Sequence, residues 1–238
     1  MFMGGDISAN APLRESVLAK RFGLTRPAMR EALSQAVGWG IVEYVSFCGF
    51  RIRDFTLDDL RDWMELRDAV ESTAARRLAL ERPAKALKEL RRILEQAEAA
   101  FHDGDHARFN QLDCDFHLAI IRASGNRKFT SPAILCYTAV LLSGYHQHEM
   151  VKMDLELGPD DFDPFAPHCA TCEEYIVYNE GQCCMRHKDI LLSIYRGDPD
   201  SAERQVHAHV RMPIKRIRRA IARFGPDMRM TELAARFS

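Results

Sequence analysis

Residues 15–45 read ESVLAKRFGLTRPAMREALSQAVGWGIVEYV, and their punctuation decides the N-terminal fold. Leu13, Val17, Leu18 and Phe22 recur at helical spacing until Gly23 breaks the pattern. Thr25 suits the N-cap of a second helix, and Pro27 falls in its first turn, where a missing N–H does no harm. Met29, Ala32, Leu33 and Ala36 supply that helix with an apolar stripe, which stops near Gly38 or Gly40. IVEYV, the turn SFCG and FRIR follow as two short β-rich runs around a glycine, the pattern of a hairpin. Helix, tight turn, helix and hairpin is the order of a winged helix-turn-helix, expected over residues 1–54.

Working outward, residues 55–62 read as a linker, and almost everything from Leu57 onward is helical. Leu60, Trp63, Met64, Leu66, Val70 and Ala74 fall at spacings of three and four. Further helices are expected around 84–103, 105–123, 127–151, 182–196 and 199–224, interrupted at Gly104, Gly125 and Gly197. A helical domain over 63–224 and a tail over 225–238 result. One acidic, loop-like insert at about 154–181 does not fit the helical pattern. The basic run RMPIKRIRRAIARF places Ile214, Ile217 and Ile221 inward on the last long helix, with a kink at Pro213.

Composition narrows the class. The 238 residues are 47% hydrophobic and 28% charged, which fits a globular protein with a sizeable core. No apolar run approaches the roughly 20 residues that span a bilayer, and the N-terminus lacks the pattern of a signal peptide. A cytoplasmic protein with no membrane partner is the expectation. A net charge of −1 argues against a wholesale polyanion binder but leaves room for a small DNA-binding module. Single cysteines in apolar patterns, Cys114 and Cys136, read as buried thiols.

Three constellations carry chemistry. Arg26 and Arg30 are four apart on one face of the second helix, and Arg51 and Arg53 alternate onto one face of the wing. A guanidinium either bonds guanine O6 and N7 or grips phosphate; as isolated residues these would be solvated surface charge, but the surrounding frame favours DNA contact. Asp113 and His117 share one helical face, with His187 and His209 on later helices. One carboxylate and three imidazoles suit a divalent ion, Zn²⁺ first and Ni²⁺ or Mn²⁺ next; hydrogen-bonded core histidines are the bland alternative. Within and beside the insert lie His168, Cys169, Cys172, Cys183 and Cys184; Cys169 and Cys172 have the spacing of the first half of a zinc site, which Cys183 or Cys184 would close. A second zinc site, redox-reactive thiols and an inert loop all stay open there.

Residues 15–45 resemble the N-terminal domain of GntR-superfamily transcriptional regulators. Leu18, Ala19, Gly23, Thr25, Arg26, Arg30, Glu31, Ala32, Leu33, Gly40, Val42 and the wing glycine Gly49 match its motif. Members carry a further helix ahead of this segment that has no counterpart here: either the start lies upstream or the winged helix lacks one wall of its small core. Residues from about 57 to 224 resemble the FCD effector-binding domain of the FadR branch. That resemblance implies a mainly α fold, a winged helix-turn-helix followed by an all-helical antiparallel bundle, acting as a homodimer on a pseudo-palindromic operator in double-stranded DNA. It implies DNA contacts at Thr25, Arg26, Arg30, Gly49 and Arg51. The D-x-x-F-H motif of DCDFH and two later histidines imply a metal at Asp113, His117, His187 and His209, with His209 preferred over His207. A small carboxylate effector is implied beside it, contacting Arg67, although Arg67 and Glu71 also read as a simple i,i+4 ion pair at a surface or interface. The expected function is a ligand-responsive regulator, a repressor. The alternative is a hydrolase or lyase using the Asp/His site, but H-E-x-x-H and G-x-S-x-G are absent, so no enzyme is expected.

Overall fold

The computed structural model describes residues 9–143 and 187–237. The chain divides into two compact units, and each is built from segments distant in sequence.

The first unit gathers the chain up to Leu60, the end of one helix from Tyr137, and the segment from Ile221 onward. Its elements begin with β1 (Pro12–Leu13), α1 (Glu15–Phe22), α2 (Arg26–Gly38), β2 (Val42–Val45) and β3 (Gly49–Ile52). Gly23 ends α1 in the left-handed region at φ 66°, a conformation that a Cβ would strain. Thr25 then caps α2, its side chain accepting from the Ala28 N–H, with Pro27 in the first turn. The strands form an antiparallel sheet in the order β1-β3-β2, with Tyr44 opposite Phe50. Leu13 therefore belongs to a strand rather than to the first helix, and Val17 is exposed; Ala19 is the buried position of α1. Met29, Leu33, Ile41, Val42, Phe50 and Ile52 fill the small core between helices and sheet. At the wing tip Phe47 stands fully in solvent at φ 63°.

Residues 55–62 are not a linker. Phe55, Leu57 and Leu60 are completely buried, and α3 (Leu57–Glu81) starts there. Thr56 and Asp59 cap it reciprocally: the Thr56 N–H donates to Asp59 Oδ2 and the Asp59 N–H donates to Thr56 Oγ1. Nor are residues 225–238 a loose tail. A terminal helix, Met230–Phe237, buries Met230 and Leu233, and the Met230 N–H donates to the Phe55 carbonyl. Asp54, 4% exposed, accepts from Thr231 Oγ1 and from Asn10 Nδ2.

The second unit is helical: α3 from Arg61, α4 (Ala84–His102), α5 (His106–Ala123), α6 (Thr130–Leu142) to Cys136, α7 over 187–196, and α8 (Pro199–Phe224) to Ala220. The terminal helix of the first unit is α9. Apolar faces recur at helical spacing, as Leu90, Ile93, Leu94 and Ala97 on α4 and Val206, Val210, Ile214 and Ile217 on α8. Pro213 lies inside α8 and cannot donate an N–H to the carbonyl of His209, four residues earlier. The insert at 154–181 and its neighbouring cysteines lie outside the described residues.

Candidate metal centre and DNA-reading surface

The buried stripe of α3 runs Leu60, Met64, Arg67, Glu71, Ala74 and Leu78. Those spacings of four and three describe one helical face, and two charged residues sit in its middle. Leu66, expected inward, is instead 40% exposed. Arg67 is 5% exposed and Glu71 2%, so the surface-pair reading of these two fails. Arg67 Nε donates to Glu71 Oε1 at 2.7 Å.

The second Glu71 oxygen, Oε2, lies 2.8 Å from Nδ1 of His117 on α5. On its other side His117 Nε2 lies 3.0 Å from His187 Nε2 and 3.1 Å from His209 Nε2. Asp113, one turn before His117, brings Oδ1 to 3.3 Å from His187 Nε2. The four candidate donors all lie within 4.8 Å of one another. Helix α5 thus places two side chains, and α7 and α8 one each, around a common point, as the spacing of Asp113 and His117 alone could not show. Phe116 walls the cluster, its ring 4.7 Å from that of His187.

This donor set fits a divalent cation. A neutral imidazole has one N–H and one lone pair. Nδ1 of His117 lies beside the Glu71 carboxylate, and its Nε2 faces two further Nε2 atoms. Three Nε2 atoms and the Asp113 carboxylate converge on one point, and with each imidazole hydrogen on Nδ1 one cation would take all three lone pairs. Protonation is a poor substitute, because burial lowers the His187 pKa to about 3 and pushes His209 well below its usual range, His187 and His117 adding repulsion. His207, two residues before His209, pairs its Nδ1 with Asp68 at 2.7 Å instead. Burial raises the Cys114 and Cys136 thiols to about 12, which makes them inert. Cys169, Cys172, Cys183 and Cys184, the candidates for a second zinc, lie outside the described residues.

In the first unit, Arg26 and Arg30 project from the N-terminal half of α2 with side chains 71% and 59% exposed. Both face Glu15 at the start of α1, Arg26 Nε at 3.1 Å and Arg30 Nη1 at 3.8 Å. Arg51 pairs across the wing with Glu43 at 2.7 Å. Arg53 differs from the expectation of a wing contact: its Nη2 grips both oxygens of Asp59 at 2.6 and 2.9 Å, bracing the start of α3. Gly49 opens β3 at φ 86° and lets the hairpin close. Sequence reasoning missed Glu15 altogether, and it read Glu71 only as the partner of Arg67 and not as a neighbour of His117. The signal for Glu71 was available, since it and Arg67 fall on the four-three spacing of the apolar face.

Comparison with known proteins agrees with this architecture. Residues 62–151 match the FCD domain family. The chain is 25% identical over 206 residues to a "Probable D-xylose utilization operon transcriptional repressor" of Paenarthrobacter nicotinovorans, across 87% of this chain and 79% of that one. It is 28% identical over 128 residues to the uncharacterized HTH-type transcriptional regulator YdhC of Bacillus subtilis, across 53% of this chain and 57% of the relative. Among solved structures, E. coli McbR/YncC superposes with a TM-score of 0.69 at 16% identity over 91% of both chains. A GntR regulator from Rhodococcus sp. RHA1 gives 0.61 at 15% identity over 90% of both. At such identities the structural likeness speaks for the fold alone. Residues 62–151 thus carry the FCD domain match, and the helix-turn-helix with its wing and the helical unit make the whole chain similar to transcriptional regulators that share this fold.

Proposed function

We propose that this chain is a ligand-responsive transcriptional regulator, a repressor, that reads double-stranded DNA with α2 and its wing and senses a small organic acid at the Asp113/His117/His187/His209 cluster. The observation that carries the reading is the pair of exposed arginines, Arg26 and Arg30, on the first turns of a capped second helix. The N-terminal residues of that helix are the ones a helix-turn-helix presents to base edges. Thr25, Gly49 and Arg51 complete the contact surface, and a homodimer would match a pseudo-palindromic operator. The regulators named among its relatives support a regulatory rather than an enzymatic role.

Asp113, His117, His187 and His209 would hold the metal, with Zn²⁺ the best fit to three imidazoles and one carboxylate. When bound, the ion supplies a Lewis-acid position for a carboxylate. Counting Asp113 and Glu71 as carboxylates against Arg67 and a dication, the loaded site is net positive, which suits an anionic effector. Arg67 stands within electrostatic reach of His187 and His209 and is the cation proposed to steer it. Effector binding then biases the placement of the DNA-reading unit by differential affinity.

Selection from random duplex DNA followed by titration against salt tests the reading. Arg26→Ala and Arg30→Ala should each abolish sequence preference and lower the slope of log K against log salt by about one. Binding by both variants with the wild-type preference and slope would overturn it.

A further inference from the structure

Resting on that metal-site reading, we infer that Glu71 is a positioning residue for the centre. Its carboxylate holds His117 in the Nδ1–H tautomer and directs the Nε2 lone pair at the point shared with Asp113, His187 and His209, while Arg67 holds Glu71.

The geometry gives each oxygen of this carboxylate its own task. Oε1 accepts from Arg67 Nε at 2.7 Å, four residues earlier on the same helix. Oε2 faces His117 Nδ1 at 2.8 Å, from a different helix. An ion pair serving only to neutralise a buried arginine would not need its second oxygen 2.8 Å from an imidazole nitrogen of the cluster. A neutral imidazole carries a single N–H, and a carboxylate at Nδ1 draws it there, leaving Nε2 as a lone pair. Nε2 is the atom of His117 that faces both other imidazoles. Partners of this kind also raise the basicity of the ligand, and losing one typically costs 10–100-fold in metal affinity. Glu71 and His117 are both almost fully buried, so water does not substitute for the missing acceptor.

Removing Glu71 alone strands Arg67 in the core, so the test keeps the local charge constant. In Arg67→Met/Glu71→Met both charges are replaced by apolar groups of similar length, a change that buried ion pairs often tolerate. In Arg67→Met/Glu71→Gln the charge is equally absent, but an amide oxygen remains to accept from Nδ1. Zn²⁺ affinity of the metal-stripped full chain is measured by competition with a chromophoric chelator, and the His117 tautomer by long-range ¹H–¹⁵N NMR of the metal-free protein. The expected order of affinity is wild type, then the Met/Gln pair, then the Met/Met pair, with about 10–100-fold between first and last. His117 should be the Nδ1–H tautomer in wild type and lose that preference in the Met/Met variant. Equal zinc affinity in the two folded double variants overturns the role of Glu71. Failure of the wild type itself to bind Zn²⁺ overturns the metal reading beneath it, and the two failures are told apart by the wild-type titration.

Discussion

Glu15 occupies a 16% exposed position from which it faces both α2 arginines, so in the proposed DNA complex a phosphate or a guanine would compete with it. Exposed pairs of this kind contribute up to about 1 kcal/mol. Glu15→Gln should therefore tighten DNA binding by up to about fivefold in fluorescence anisotropy at fixed salt; weaker binding would mean that Glu15 orients the arginines rather than competing for them. In the second unit a different residue-scale logic holds. Arg67, Glu71 and His117 are linked in water-poor surroundings, where an unpaired charge costs several kcal/mol. In sequence Arg67 and Glu71 are four apart on one helix, whereas Glu15 and Arg26 are separated by 11 positions and lie on two helices. Their environments make one a surface competitor and the other part of a core.

Among the elements, α2 depends most on local sequence. Thr25 caps it through the Ala28 N–H, Pro27 tolerates the first turn, and Met29 and Leu33 alone bury its inner face. Thr25→Ala should destabilise the winged-helix unit by about 1 kcal/mol, read as a lowered urea midpoint of Trp39 emission in a Trp63→Phe background. An unchanged midpoint would show that the sheet, not the cap, sets the stability of α2. Helix α3 illustrates the opposite dependence. Its apolar residues admit more than one helical face, and Leu66 and Trp63 count toward the wrong one when only apolar positions are scored. The observed face includes Arg67 and Glu71 because they pair with each other and Glu71 also meets His117 of α5. Likewise Leu13 fits a helical spacing in sequence, yet pairs with Phe50 as a strand residue, because β3 offers an edge that local propensity does not reveal.

For the whole molecule, the cluster of imidazoles makes stability depend on pH and metal together. His187 and His209 are held neutral in the metal-free fold, His187 at about 3 against an ordinary value of 6.5. An unfolded chain therefore binds more protons than the folded one below about pH 6.5, and stability rises with pH through that range. Metal-free protein should keep full stability above about pH 6.5 and lose up to about 1.4 kcal/mol per pH unit through His187 as pH falls toward 3, with His209 adding a loss in the same direction. Urea titrations from pH 7.5 to 4.5 measure this, and a flat profile would refute the burial of neutral imidazoles. Zn²⁺ added at pH 7.5 should raise the melting temperature in proportion to its logarithmic concentration, and the gain should shrink as protons compete for the same nitrogens.

By itself the sequence determined the order of elements in the DNA-reading unit and the identity of the four candidate donors. Caps, turn glycines and helical periodicity act over a few residues, so they are written where they act. Only the tertiary structure decided that α5, α7 and α8 bring Asp113, His117, His187 and His209 within 4.8 Å, that His207 turns away to Asp68, and that Glu71 stands behind His117. The same holds for the packing of Met230 and Leu233, which makes residues after 224 part of the first unit rather than a tail. The physical reason is common to all of these. Convergence of side chains from distant segments is set by helix packing and burial, and neither leaves a mark in the spacing of residues along one element.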